Sequence, residues 1–201
     1  MKFLKIEKKT SKKRFISVSI LIPSLLILFT FFIENSLESF LSIYLRETLD
    51  FSSTMGGTAI GTFHIASLAG LLVSTFLIVK LKENKVLLCC GVVAFIGLLT
   101  LIVIPAPLLT TLGLFLIGFS LAPITPIAFS IASKISNERR SEAVSIVTIF
   151  GYTAFLFAPL TVGILGDIFS LRVAFVLLIL CSILIIMLSL FIYKRKKLEG
   201  E

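Results

Sequence analysis

Glu34 and Glu38 stand one helical turn apart in the stretch 31–45, FFIENSLESFLSIYL, within an otherwise apolar region. Carboxylates at this spacing share one side of a helix and repel each other. At a membrane surface they would be solvated and ordinary. Facing a cavity at membrane depth they would be costly, and such groups serve function. The chemistry open to them there is uptake and release of a proton, or a grip on the hydroxyls of a polar solute. At 100° per residue, Glu34, Asn35, Glu38, Ser39 and Ser42 share an arc of about 140°. Ile33, Leu37, Phe40, Leu41 and Tyr44 occupy the other side, so the helix carries a polar stripe. His64 is the only histidine. It could titrate near neutral pH. With no partner visible along the chain, it reads first as a hydrogen-bonded packing residue.

These groups need helices to hold them, and the composition places those helices in lipid. Hydrophobic residues make up 57% of the 201 and charged residues 15%, where soluble domains carry about 25% charged residues. Mean hydropathy is +1.11. The apolar residues come in unbroken runs, and a run of about 20 suits a helix crossing the hydrocarbon layer. Six spans are predicted, at 15–45, 52–79, 86–104, 108–133, 143–165 and 172–193. The expected fold is an all-α membrane protein with six transmembrane helices. Alternating strands of a β-barrel are not seen. The expected organisation is a basic segment over 1–14, a transmembrane domain over 15–193 and a tail over 194–201.

Seventeen of the 19 Lys and Arg residues fall in four segments: 1–14, 80–85, 134–140 and 194–197. Six spans put all four on one side, which the positive-inside rule makes cytoplasmic, with both termini there. The formal charge of +8 is then a topology signal and an anchor to anionic lipid, not a nucleic-acid footprint. Arg46, Asp50, Asp167 and Arg172 read as charges of the opposite loops. Cys89, Cys90 and Cys181 read as small apolar residues, with neither metal-ligand spacing nor a disulfide framework. No catalytic motif is found, so neither an enzyme, a cofactor nor a metal is expected.

Glycine and proline punctuate the spans. In MGGTAIGTFHIASLAG, Gly57, Gly61, His64 and Leu68 share a face expected to pack on protein. Pro123 and Pro126 in GFSLAPITPIAF should kink or open their helix. Gly151, Pro159, Gly163 and Gly166 repeat the theme in GYTAFLFAPLTVGILGD. Pro123, Pro126, Gly151 and Pro159 are candidate gating elements, although glycine and proline are also ordinary in membrane helices.

FFIENSLESFLSIYLRETL resembles the seventh membrane helix of a bacterial branch of the major facilitator superfamily similar to the fucose permeases. Acids match at Glu34 and Glu38, and Tyr44, Leu45 and Arg46 match a Tyr-Leu-Arg. GFSLAPITPIAFSIASK resembles that group's tenth helix, with Pro123 and Pro126 in place. AVSIVTIFGYTAFLFAPLTVGILGDIFSLRVAF resembles its eleventh helix and the next loop, with Gly151, Tyr152, Pro159, Gly163, Asp167, Arg172 and Phe175 at matching positions. The chain departs where the family has an arginine after Gly70 and then a Gly-Asp-Arg-like loop motif. Leu71 follows Gly70 here, and Lys80, Lys82, Glu83 and Lys85 form the polar loop.

The resemblance implies the C-terminal six-helix half of a bacterial inner-membrane transporter working by alternating access, with 1–14 like the linker between halves. It implies a small polar solute, such as a sugar, and proton coupling. Glu34 is the expected central acid, with Asn35, Glu38 and Tyr152 as further contacts. An isolated half would leave its cavity face against lipid, so a first half or a second copy is the expected partner. Two other readings stand beside this one. The chain could be a truncated, non-transporting membrane protein or scaffold, or part of a drug-efflux carrier, which its 19 Phe residues permit.

Overall fold

The computed structural model describes residues 18–135 and 139–198. The basic segment 1–14 and the last residues of the tail lie outside them. Seven α-helices follow one another: α1 (Val18–Ile43), α2 (Ser53–Leu81), α3 (Glu83–Val103), α4 (Pro107–Leu121), α5 (Ile124–Ile135), α6 (Arg140–Ile168) and α7 (Leu171–Leu198). α1 runs on through a widened π-type turn, Tyr44–Thr48, and α4 with α5 makes one interrupted span. Among the described residues, six stretches are long and apolar enough to cross a membrane: Ile20–Thr48, Thr54–Leu81, Glu83–Val103, Pro107–Ile135, Arg140–Ile168 and Leu171–Arg195. No strand occurs among the described residues. The expected all-helical, six-span architecture is therefore the one observed.

Short connections force an up-and-down order. Lys82 alone separates α2 from α3, at φ 65° and ψ 149°, a conformation that suits glycine rather than lysine. At the other end of the bundle Asp50 takes φ 58°, and the Phe51 N–H reaches back to the Leu45 carbonyl at 3.0 Å to close the π turn. Tyr44 stacks on Phe175 at that end, with ring centroids 4.4 Å apart.

Without water, helices must satisfy their own polar groups and approach closely to gain dispersion contacts. The hydroxyls of Ser24, Thr30, Ser36 and Ser189 each donate to the carbonyl four residues earlier. Where α3 crosses α4, Gly97 lies on Gly113, and a Cβ on either would come within 2.9 Å of the other's carbonyl oxygen. The break between α4 and α5 falls at Ala122 and Pro123, as expected from the prolines. Pro123 lacks the N–H that would bond the Phe119 carbonyl. That carbonyl lies directly against Gly70 of α2, where any side chain would collide with it. Pro126 sits in the first turn of α5, where a missing N–H costs little. Pro159 lies inside α6, which continues through it.

Candidate functional site

α1 is amphipathic as its wheel predicts. Ile33, Leu37, Leu41 and Tyr44 are fully buried in the bundle. On the other side Glu34 is half-buried, and Glu38 and Ser39 are exposed. Asn35 turns inward instead. It is buried, and its Nδ2 donates to the Phe31 carbonyl at 2.8 Å. Ser42 lies against α2, where a Cβ added to Gly56 would meet its side chain at 3.3 Å.

The α1–α2 contact also joins an acid and an imidazole that are distant in sequence. His64 Nε2 lies 3.8 Å from Glu38 Oε1, with 55% and 44% of the two side chains exposed. Sequence reasoning gave His64 no partner and favoured a packing role. The structure corrects this: His64 is exposed on α2 and faces an acid of α1. The Glu34–Glu38 spacing was a signal that a counter-group was needed, but nothing along the chain singles out α2 as its source.

The small-residue face of α2, expected to pack on protein, is not packed within this chain. Gly57 and Gly61 have nothing within 4 Å of an added Cβ, and His64 and Leu68 are exposed with them. The face that packs carries Gly56, Ala59, Phe63, Ala66 and Gly70. Glycine and alanine occur on both sides of this helix, so composition could not choose between them.

α2 and α6 are the least covered helices. Only 22% of the apolar window of α2 and 28% of that of α6 are buried, against 56% for α1. On α2, Ile65, Leu72, Phe76 and Val79 are bare, and on α6, Ile149, Leu156 and Leu160. Tyr152 is exposed among the latter. Its neighbour Gly151 fits against Ile27 and Phe31 of α1, and Gly163 against Phe40. The register of α1 on α6 therefore sets Tyr152 about one turn from the level of Glu34. Pro159 lies between these two glycine contacts.

Of the charges expected in the opposite loops, Arg46, Asp50 and Asp167 are exposed there. Arg46 pairs with its neighbour Glu47 at 3.1 Å. Arg172 does more: its Nη2 donates to the Ile102 carbonyl at 3.2 Å, near the C-terminal end of α3. The same guanidinium is the cation beside the buried Tyr44 hydroxyl. Among the described residues no cluster of His, Cys, Asp and Glu could hold a metal ion.

Six apolar helices in up-and-down order, with an acid–imidazole contact on their bare side, define a multi-pass membrane protein. The family model of the Major Facilitator Superfamily matches residues 23–201, and the chain belongs to that family. It is 28% identical over 145 residues to an uncharacterized MFS-type transporter of Yersinia pestis, covering 72% of this chain and 38% of the relative. It is 20% identical over 168 residues to membrane protein MosC of Rhizobium meliloti, covering 84% of this chain and 41% of that one. The chain thus spans about two fifths of the length of these curated relatives. Its fold is similar to the crystal structure of PepTSo, a POT family transporter, with a TM-score of 0.75 and 17% identity over 90% of this chain and 37% of the other.

Proposed function

We propose that this chain is the C-terminal half of a bacterial inner-membrane carrier of the fucose-permease-like branch. It moves a small polar solute by alternating access, coupled to protons. The observation that carries this reading is the Glu38–His64 contact, with Glu34 a turn away, on the side of the bundle where α2 and α6 are bare. Ionisable groups at membrane depth are retained for function and face a cavity or other protein. Glu34 is the central acid for the proton or for the solute's hydroxyls. Glu38 and His64 stand beside it as further polar contacts, Tyr152 is a contact from α6, and Asn35 shapes the backbone at Phe31. The bare faces of α2 and α6 meet a first half of the carrier or a second copy. Pro123 and Pro126 at the α4–α5 break, with Gly151 and Pro159 on α6, let the helices bend as the halves rock. Both termini and the four basic segments lie in the cytoplasm. No observation favours the efflux or the non-transporting reading over this one.

The test is proton-driven uptake in membrane vesicles containing this chain with a complementary first half. Glu34→Gln should reduce uptake at least tenfold while leaving the amount of inserted protein unchanged. Full uptake in Glu34→Gln would remove Glu34 from the site. Absence of proton-driven uptake with the native residues, for any first half or for the chain alone, would overturn the transport reading.

A further inference from the structure

On the far side of α1 from its carboxylates, the start of α1 and the end of α7 leave an open groove of about 410 Å³. Ile22, Leu25 and Phe29 of α1 line it with Leu184, Met187 and Phe191 of α7. Glu38 lies nine residues beyond Phe29, which at 100° per residue is about 180° round the helix. The groove therefore opens away from the polar stripe, toward lipid. Its lining side chains are all apolar, but its α7 wall leads to charge. Met187, Phe191 and Lys194 are spaced i, i+4 and i+7, and Arg195 follows Phe191 by four. These positions share one face of a helix. Lys194 and Arg195 are both exposed, at the last turns of α7.

We propose that this groove holds an anionic phospholipid, one acyl chain lying between α1 and α7 and the headgroup phosphate on Lys194 and Arg195. An apolar trough fits a hydrocarbon tail by dispersion contact. Cations where α7 leaves the apolar region select a negative headgroup over a zwitterionic one, because their attraction acts at the level of the headgroups. Long cationic side chains reach that level while their stems stay on apolar surface. Occupancy would also fill the gap that leaves Leu184, Met187 and Phe191 exposed. This inference does not depend on the transport reading.

The chain contains no tryptophan, so one introduced indole reports its own surroundings. Phe191→Trp puts the reporter in the groove, and Phe157→Trp puts it on the exposed face of α6, outside the groove. The full chain is reconstituted in phosphatidylcholine vesicles with either phosphatidylglycerol or phosphatidylcholine brominated on its acyl chains. At Phe191→Trp, brominated phosphatidylglycerol should quench with at least threefold higher relative affinity. The ratio should fall to about one when Lys194→Gln and Arg195→Gln are added, and it should be about one at Phe157→Trp throughout. Met187→Trp is the second reporter should Phe191→Trp fail to insert. A ratio of one in the groove with both cations present overturns the proposal, as does a preference that survives their removal. Protection from both brominated lipids would mean that a second copy fills the groove and would overturn it equally.

Discussion

The acid–base contact at the basic end of this bundle differs from the one on its bare side. At the basic end, Glu83 opens α3, with only 17% of its side chain exposed. Lys134 Nζ donates to both of its carboxylate oxygens at 2.8 Å, and Ser130 Oγ donates to Oε1 at 2.8 Å. The carboxylate also sits at a helix N-terminus, where the backbone favours negative charge. On the bare side, Glu38 and His64 are 3.8 Å apart and about half exposed. The first contact is short, multiply hydrogen-bonded and sheltered, as a structural clamp between α3 and α5 must be. The second is longer than a hydrogen bond, and both of its members are open to solvent or a partner. A site that exchanges protons or solutes needs groups not already committed to one another.

Removing the clamp should have the largest effect on stability. Glu83→Gln keeps the size of the side chain but loses the charge that holds Lys134, at a cost of about 1–3 kcal/mol. Lys134, 60% exposed, would return to water without a penalty of its own. Thermal melting of the detergent-solubilised chain by circular dichroism checks this. An unchanged melting temperature would place Glu83–Lys134 in the same class as the exposed pair and erase the distinction between the two ends.

The two contacts differed in legibility as well. The six spans were readable because long apolar runs admit one solution in lipid, and the break at Ala122–Pro123 because proline removes a specific donor. The polar stripe of α1 followed from the helical period. What could not be read was which helices meet. The Glu83–Lys134 contact spans 51 residues, and Glu38 and His64 lie on different helices with no motif linking them. α2 is apolar all round, so its periodicity did not tell the packed glycines, Gly56 and Gly70, from the bare ones, Gly57 and Gly61. Asn35 shares the arc of Glu34 on a wheel, yet its amide found a backbone partner in the preceding turn. A wheel shows direction and not competition for hydrogen bonds.

Lys82 sharpens the picture of the basic end. Its backbone is in a region that side chains adopt at a cost, and it alone carries the chain from α2 into the turn that presents Glu83. Lys82→Gly should stabilise the chain by about 1 kcal/mol, the strain relieved less the extra freedom of glycine in the unfolded state. A higher melting temperature with the Glu83–Lys134 contact intact would show that the link is strained to hold the clamp. A lower one would mean that the lysine side chain contributes more than its backbone loses.

The smallest effect on stability is expected at Glu38, and there the small size is itself informative. Exposed ion pairs contribute about 0.2–1 kcal/mol, and this one is longer than a direct hydrogen bond. Glu38→Gln, His64→Gln and the double substitution should therefore each melt within about 0.5 kcal/mol of the native chain, with negligible coupling between them. If the pair belongs to the transport site, the same substitutions should slow proton-driven uptake by the assembled carrier severalfold or more. Stability and uptake would then separate cleanly: Glu83→Gln would lower the first, and Glu38→Gln mainly the second. Should Glu38→Gln instead destabilise the chain as much as Glu83→Gln does, the loose contact would be a second clamp. The acid–imidazole contact on the bare side would then belong to structure, and Glu34 would be left to carry the chemistry.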